Sequence, residues 1–560
     1  MPSTCSPWVA PSLLAADGRP LKKSLQRALR AQKLRALLLI APLLLFILLS
    51  FLLPIGDMLF RSVENQIVPD TLPDTVKDLS EWDSESGNLP DEATFQALYF
   101  DLFLAAEAKQ HSRLGSRLNY ERPGISSLFR STGRRLDDLG EQYQDVFAGF
   151  DPSWEDAGFW FRLMSAQGDD DAARDVLGAE RNRVAKLTGV DTGGDIGFVP
   201  SATMAELLPR TTREYTAFAV YTVKDKNDVV AEEEPWESVY AALGLDLEAA
   251  DPSAIAAYSG PGAEVLKAAA LQAGELPVID YRQAMIDIDE GWGQESNWQT
   301  LKLYSGEYTN GYLLNAIDMQ KTPEGPKLKP EKQRIYIKLF LRTMALSLAI
   351  TFLCFLLGYP IAFLLATLPL RTSNLIMILV LLPFWTSLLV RTASWKILLQ
   401  QQGIINDLLV WAGIISNSGR LVMINNATGT IIAMTHILLP FMILPLYSVM
   451  KTIPPSYMRA ARSLGATDWT AFWRVYFPQT VPGMGAGAIL VFILSIGYYI
   501  TPELVGGTSG IFISNRIAYH ISTSLNWGLA AALATMLLVV VLALYWIYDK
   551  IVGIDNVKLG

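Results

Sequence analysis

Apolar runs of about the length of a bilayer crossing recur six times along this 560-residue chain. They are Leu34–Phe60, Thr343–Leu368, Asn374–Ala393, Thr428–Met450, Met484–Leu504 and Trp527–Tyr548. Roughly twenty apolar residues in a helix cross the hydrocarbon layer, and a helix keeps its own backbone groups bonded there. One such run fits a buried core helix equally well. Six of them, with charge asymmetry between the segments that join them, predict an all-α membrane protein with six transmembrane helices.

The flanking charges predict an orientation. Arg19, Lys22, Lys23, Arg27, Arg30, Lys33 and Arg35 precede or open the first run, against the single acid Asp17. Basic flanks stay on the cytoplasmic side, and an even number of crossings returns Asp549 and Lys550 to that side. No small-x-small cleavage pattern follows the first run; Pro54, Gly56, Asp57 and Phe60 do, so a retained helix is expected rather than a signal peptide. The expected division is a basic cytoplasmic tail at 1–33, a first helix at 34–63, an extracytoplasmic insert at 64–335, a permease-like core at 336–550 and a short cytoplasmic tail at 551–560.

Charge separates the insert from the rest. Residues 64–335 hold 48 acids and 25 bases, a net of −23, while the remainder holds 7 acids and 21 bases, a net of +14. The overall −9 therefore joins two oppositely charged parts. About 270 residues suffice for a domain with its own core. Its pattern predicts a mainly helical α+β domain: helical periodicity over Asp91–Tyr120, a hairpin over residues 217–230, and a proline-rich linker over 321–330. No internal repeat is evident. Cys5 and Cys354 both lie outside the insert, so it has no internal disulfide. His111, His436 and His520 are scattered without metal-ligand spacing, and no GxxxxGK[ST] phosphate loop occurs. Any ATP consumed has to be bound by another chain, and no catalytic constellation stands out.

One polar stretch between the fourth and fifth runs, AARSLGATDWTAFWRVYFPQTVPG at 460–483, falls on the cytoplasmic side. Pro454-Pro455 can open a helix. Gly465 can take a positive φ and end it. Thr467 or Asp468 can cap a second short helix, Trp469–Tyr476, which Pro478 is expected to stop. The product is two short helices at an angle, with Ala460 and Ala461 as a close-approach face and Trp469, Phe472 and Trp473 as apolar surface. An amphipathic surface loop is the alternative reading; a docking element for a soluble partner is the other.

The stretch resembles the EAA loop of ATP-binding cassette importer permeases, E-A-A-x-x-x-G followed at a distance by I-x-L-P. Here it reads Arg459-Ala460-Ala461-x-x-x-Gly465, then Val475-Tyr476-Phe477-Pro478, with arginine at the glutamate position. GYPIAFLLA (358–366), LLPFWTSLLVRTASWKILLQQQGIINDLL (381–409), HILLPFMILPLY (436–447) and YYITPELVGG (498–507) resemble the spermidine/putrescine-type branch. The resemblance implies a type I importer: this chain, a second permease subunit, an ATPase dimer that holds ATP and Mg, and a periplasmic solute-binding protein. It implies ATPase coupling through Arg459, Ala460, Ala461, Leu464, Gly465, Ala466, Asp468, Trp469 and Phe472, within a loop at 451–482. No cofactor is expected in this chain and no nucleic acid among its partners.

Pathway groups have to face the bundle interior rather than lipid. Candidates are Trp385, Thr386, Ser387, Arg391 and Trp395 near the outer end of the third run, and Tyr498, Tyr499, Thr501 and Glu503 near that of the fifth. The aromatics among them also fit interfacial anchors. Arg391 needs a partner, and Glu503 is one candidate. Polyamine permeases often carry an acid beside the glycine that here precedes Tyr498; a tyrosine there can still attract a cation through its ring. A small nitrogenous solute is expected, a polyamine or an amino-acid- or opine-like compound. Two rivals predict other features: a membrane-anchored receptor would carry a cytoplasmic signalling module, and an ion-coupled transporter would carry acids within its spans.

Overall fold

The computed structural model describes residues 21–166 and 171–552. Cys5, Asp17, Arg19 and the tail at 553–560 lie outside the described residues, as do the side chains of Lys22, Lys23 and Arg27. Residues up to Arg61 form one unit and those from Ser62 another. The first is a single helix, Leu21–Arg61, with a π-helical turn at Leu48–Leu52. That turn brackets Ser50, whose carbonyl the ring of Pro54 would otherwise strike four residues on.

Five described helices are long and apolar enough to cross a membrane: Gln32–Arg61, Tyr336–Thr367, Ala427–Thr452, Asp468–Gly497 and Trp527–Lys550. The third expected span is not straight. Leu370–Trp385 and Leu388–Leu398 meet at 98°, a broken span or a re-entrant pair. The fifth differs at both ends from Met484–Leu504. It begins at Asp468 and ends at Gly497, where Tyr498 turns extended before a short helix at Ile500–Val505.

Glycines let the spans approach. A Cβ on Gly358 would sit 3.2 Å from the Met442 side chain, and one on Gly487 would sit 2.8 Å from Met442 Sδ. Helices Tyr336–Thr367, Ala427–Thr452 and Phe477–Gly497 therefore close around Met442, with Ile350, Cys354, Leu438, Leu446 and Val491 buried beside it. Small residues serve this purpose in membranes, where apolar burial alone does not favour helix contact over lipid.

The insert is helical almost throughout. The expected hairpin at 217–230 is instead the end of helix Pro209–Tyr221 and a π turn at Thr222–Lys226. Its first part, Ala217–Thr222, is buried in the domain core, where tertiary burial overrides strand propensity. Conversely, the expected linker holds the two strands found among the described residues. Met319–Thr322 pairs antiparallel with Gly325–Leu328 around Gly325, at φ +113°.

The insert also contains a repeat that its sequence did not reveal. Seven helices, Ile67–Thr71, Pro73–Glu81, Glu92–Glu107, His111–Leu118, Ile125–Thr132, Asp137–Phe150 and Ala157–Met164, are followed by seven in the same order. These are Ala202–Leu207, Pro209–Tyr221, Glu237–Ala249, Pro252–Ala257, Ala263–Leu271, Tyr281–Ile288 and Glu295–Leu303. Matching residues make matching bonds. The N–H and hydroxyl of Thr75 each donate at 2.8 Å to Asp101, and those of Thr211 each donate at 2.8 Å to Asp246. Trp160 Nε1 donates to the Trp154 carbonyl as Trp298 Nε1 does to that of Trp292, both at 2.8 Å. Gly124 and Gly262, each after a proline, open equivalent helices at φ +100° and +73°. The repeats are intertwined. Ser165 at the end of the first bridges Pro200 at the start of the second, and Glu64 at the start of the first bridges Tyr308 at the end of the second. That reciprocity is a pseudo-two-fold arrangement.

A buried polar junction fixes the insert to the spans. Asp318, fully buried at φ +56°, accepts from the backbone N–H groups of Ile335, Tyr336 and Ile337 and so caps the long helix Tyr336–Thr367. Arg117 pairs with Glu121 at 2.8 Å and lies 4.0 Å from the Tyr312 ring centroid. That ring in turn packs on Gly528 of the last span. Lys329 Nζ donates to Asn315 and to the Tyr120 carbonyl, and burial lowers its pKa. His520 bridges Tyr336 and Ser524 beneath the Tyr120 ring, and burial pushes its pKa down to about 4.

Two outcomes follow from the junction. Asp318→Ala should lower the stability of the purified chain by about 2 kcal/mol in a denaturant titration, the upper end of a lost cap. His520 favours its neutral form in the fold. Its contribution is therefore complete above the free imidazole value near 6.5 and is lost as pH falls toward about 4. The thermal midpoint should drop between pH 6.5 and 4.5, and His520→Asn should remove part of that drop.

Candidate functional site

Two places in the core gather chemistry, one at each end of the bundle. At the end away from the insert, helix Pro455–Ser463 stops in a tight bend. The Ala466 N–H bonds the Ala461 carbonyl at 3.1 Å and the Gly465 N–H bonds that of Arg462 at 2.9 Å. This is a Schellman pair, and it needs the left-handed φ of +85° that Gly465 supplies. A Cβ there would meet nothing within 4 Å, so backbone conformation rather than crowding selects glycine. Thr467 caps the next helix, accepting from the Thr470 N–H, and Arg462 bonds Asp468 across the bend at 2.8 Å.

The second limb is not a separate helix. Pro478 was expected to end it, but the helix runs from Asp468 into the fifth span through a π turn at Phe472–Tyr476. The wider turn surrounds Arg474, four residues before Pro478, whose carbonyl would otherwise meet the ring. Leu464 and Trp469 stand in the open, 89% and 72% exposed. Arg459 and Ala460 are exposed, Ala461 and Ala466 half-buried. Phe472 turns inward. Its ring lies 6.3 Å from Tyr359 and 5.8 Å from Phe363 of the second span, where Tyr359 also bonds Thr480. Tyr359 and Phe363 were not picked from sequence; their spacing of four on a helix facing an aromatic run was the available signal.

At the insert end the candidate pathway residues divide. Trp385, Thr386 and Ser387 form the corner of the broken third span, with Thr386 bonded to the Pro383 carbonyl at 2.9 Å. Arg391 makes no ion pair with Glu503, the candidate partner. It lies instead beside His436 and Tyr498, and Trp395 donates to His436 at 3.1 Å. Thr501 is fully buried, 3.2 Å from Thr392, and joins two helices. Glu503 accepts from Asn515 at 2.6 Å, and Asn515 also donates to the Tyr499 carbonyl. Tyr499 and Glu503 line a cavity of about 470 Å³ with Thr508, Asn515, Arg516 and Tyr519. The last three lie on helix Ile513–Ser522, which no motif had marked.

Residues 335–552 match the family described as binding-protein-dependent transport system inner membrane component. The spermidine/putrescine transport system permease protein PotB of Escherichia coli K12 is 35% identical over 215 residues, 38% of this chain and 78% of that protein. The chain belongs to the inner-membrane permeases of ATP-binding cassette importers. PotB of Haemophilus influenzae is also 35% identical to this permease, over 39% of the chain and 75% of that protein. The inner membrane ABC transporter permease protein YdcU of E. coli K12 is 31% identical over 38% of the chain and 71% of its own length. A bacterial importer of the acidic polysaccharide alginate covers 41% of the permease and 81% of the solved chain at 19% identity, with a TM-score of 0.33. The family match begins at residue 335, just where the insert ends.

Proposed function

We propose that this permease forms half of a type I import pathway for a small amine-bearing solute of the polyamine class. The likeness to spermidine/putrescine permeases, 35% identity over 215 residues, carries the reading. The cavity agrees with it: Glu503 offers a carboxylate and Tyr499 a ring to an ammonium group, while the Tyr519 ring already carries Arg516. An amino-acid-like zwitterion is the second reading, favoured by Arg516 in the same cavity.

In this reading the broken pair Leu370–Leu398 is the third of six spans, and both termini are cytoplasmic. The insert at 64–335 is then extracytoplasmic, and its net −23 raises the local concentration of cationic solute. A solute-binding protein delivers to that face, and a second permease chain completes the pathway. An ATPase dimer, holding ATP and Mg, seats on the bend at Ala460–Gly465, with Leu464 and Trp469 as anchors and Arg459 and Asp468 beside them. This chain supplies no hydrolytic chemistry. Its work is to take up the ATPase movement at the bend and pass it through Phe472 to the second span.

Glu503→Gln should raise the KM for putrescine uptake in proteoliposomes of the complete importer about tenfold, with the basal ATPase rate unchanged. Equal uptake by the variant would exclude the cavity from the path. Gly465→Val, which forces a branched residue into positive φ, should abolish stimulation of the ATPase by the loaded binding protein while the chain still inserts. Normal stimulation in that variant would remove the bend from the coupling route.

A further inference from the structure

The duplicated insert has a cleft where its two halves face each other. The cavity, of about 250 Å³, is lined by Asp74, Lys77 and Asp78 from helix Pro73–Glu81 and by Arg210, Arg213 and Glu214 from helix Pro209–Tyr221. Because Leu72-Pro73-x-Thr75 corresponds to Leu208-Pro209-x-Thr211, these six residues are three equivalent pairs. Asp74 matches Arg210, Lys77 matches Arg213 and Asp78 matches Glu214. The pseudo-two-fold axis therefore passes through the cavity.

The two halves kept their framework and diverged at this cleft. Thr75 and Thr211, Asp101 and Asp246, and the paired tryptophans are retained with their bonds. In the cleft, acid stands opposite base at the first pair. Some of this charge is used to hold the halves together. Arg213 binds Asp74 and Glu180, and Arg183, buried behind, binds Glu180, Glu214 and Asp101. Three charges are left over. Lys77, Asp78 and Arg210 have no ion-pair partner among the described residues. Lys77 and Arg210 are exposed and Asp78 is half-buried. Phe100, Ala93 and Ala97 add an apolar wall.

We infer that this cleft is a binding site for a small zwitterion, an ω-amino acid in chemical class. Arg210 and Lys77 would take its carboxylate, Asp78 its ammonium group, and Phe100 the methylenes between. Lys77, Asp78 and Arg210 make no direct ion pair among the described residues and line a space of ligand size, although Lys77 stabilises the Asp78 charge and Arg210 that of Asp246 at longer range. Asp78 also sits near the acids Asp91 and Asp74, and burial together with these like charges raises its pKa, so a cation is the favoured neighbour. The site lies in the insert, outside the segment matched by the permease family, and stands independently of the solute reading for the core.

The test is calorimetric titration of the full chain in lipid nanodiscs with three probes of one length: 4-aminobutyrate, 1,4-diaminobutane and succinate. Saturable binding of 4-aminobutyrate is expected, weakened tenfold or more by Asp78→Asn and by Arg210→Gln and unchanged by Glu503→Gln. Lys77→Gln should weaken it less, because Arg210 remains. No saturable binding of 4-aminobutyrate would overturn the proposal, as would binding confined to the dication or the dianion. Loss through Glu503→Gln with Asp78 and Arg210 variants intact would assign the heat to the core cavity and overturn it equally. If nothing binds and the Asp78 and Arg210 variants only lower the thermal midpoint, the cleft is an ionic clasp and the inference fails.

Discussion

A backbone N–H or carbonyl facing lipid has no water to bond, and the fold of the core is arranged around that constraint. Wherever a span departs from regular helix, another protein group takes up what is released. Helices Leu370–Trp385 and Leu388–Leu398 meet at 98°, and Thr386 bonds the Pro383 carbonyl within the corner. The fifth span ends at Gly497, and the carbonyls of Tyr498 and Tyr499 accept from Ser514 and Asn515. The π turns before Pro54 and Pro478 are milder cases, each widening the helix around the carbonyl that a proline would hit. At the break after Gly497, the released carbonyls are met by Ser514 and Asn515, and the cavity lined by Tyr499 and Glu503 lies beside it.

The same requirement governs the join between a soluble domain and the bundle. The first turn of Tyr336–Thr367 has backbone donors with no partner inside the helix. Asp318 meets three of them from the insert side, from a left-handed conformation that an aspartate tolerates better than most residues. Around it Arg117, Lys329 and Glu121 are buried together. Burial of single charges would be costly, and pairing with shared hydrogen bonds offsets that cost. The Arg117–Glu121 pair and the Lys329 bonds to Asn315 and the Tyr120 carbonyl offset part of that cost, while Arg117 Nε and Glu121 Oε2 are buried without a partner.

Long-period features were legible in the sequence and short-range exceptions were not. Hydropathy located the spans and missed the corner at 385–388, because a break of two residues does not alter a twenty-residue average. Pro478 read as a stop because the rule for proline assumes an α-helical neighbour, and the π turn removes that assumption. Glu503 was one candidate partner for Arg391, suggested by opposite charge alone. In the fold His436 and Tyr498 stand beside Arg391, and Asn515 binds Glu503. The repeat was hidden for a related reason. Its conserved positions, such as Asp101 with Asp246 and Trp160 with Trp298, are separated by variable stretches of unequal length. Offsets of 145 and 138 between these pairs defeat any search at a single period.

In the proposed reading, transmission across the membrane rests on one element. The helix Tyr336–Thr367 has 32 residues, about 48 Å at the usual rise. Its insert end is fixed by Asp318 and by the contact of Tyr336 with His520. Toward its other end Tyr359 and Phe363 clasp Phe472, the residue through which the bend at Gly465 joins the fifth span. Between them Gly358 brings the helix against Met442 of the fourth span, so bending is resisted by close packing. A partner that binds the bend differently in two states can bias the bundle only by the difference in its contacts there. In that reading those contacts reach a helix held at both ends, so a bias applied at the bend is passed along Tyr336–Thr367 toward the insert.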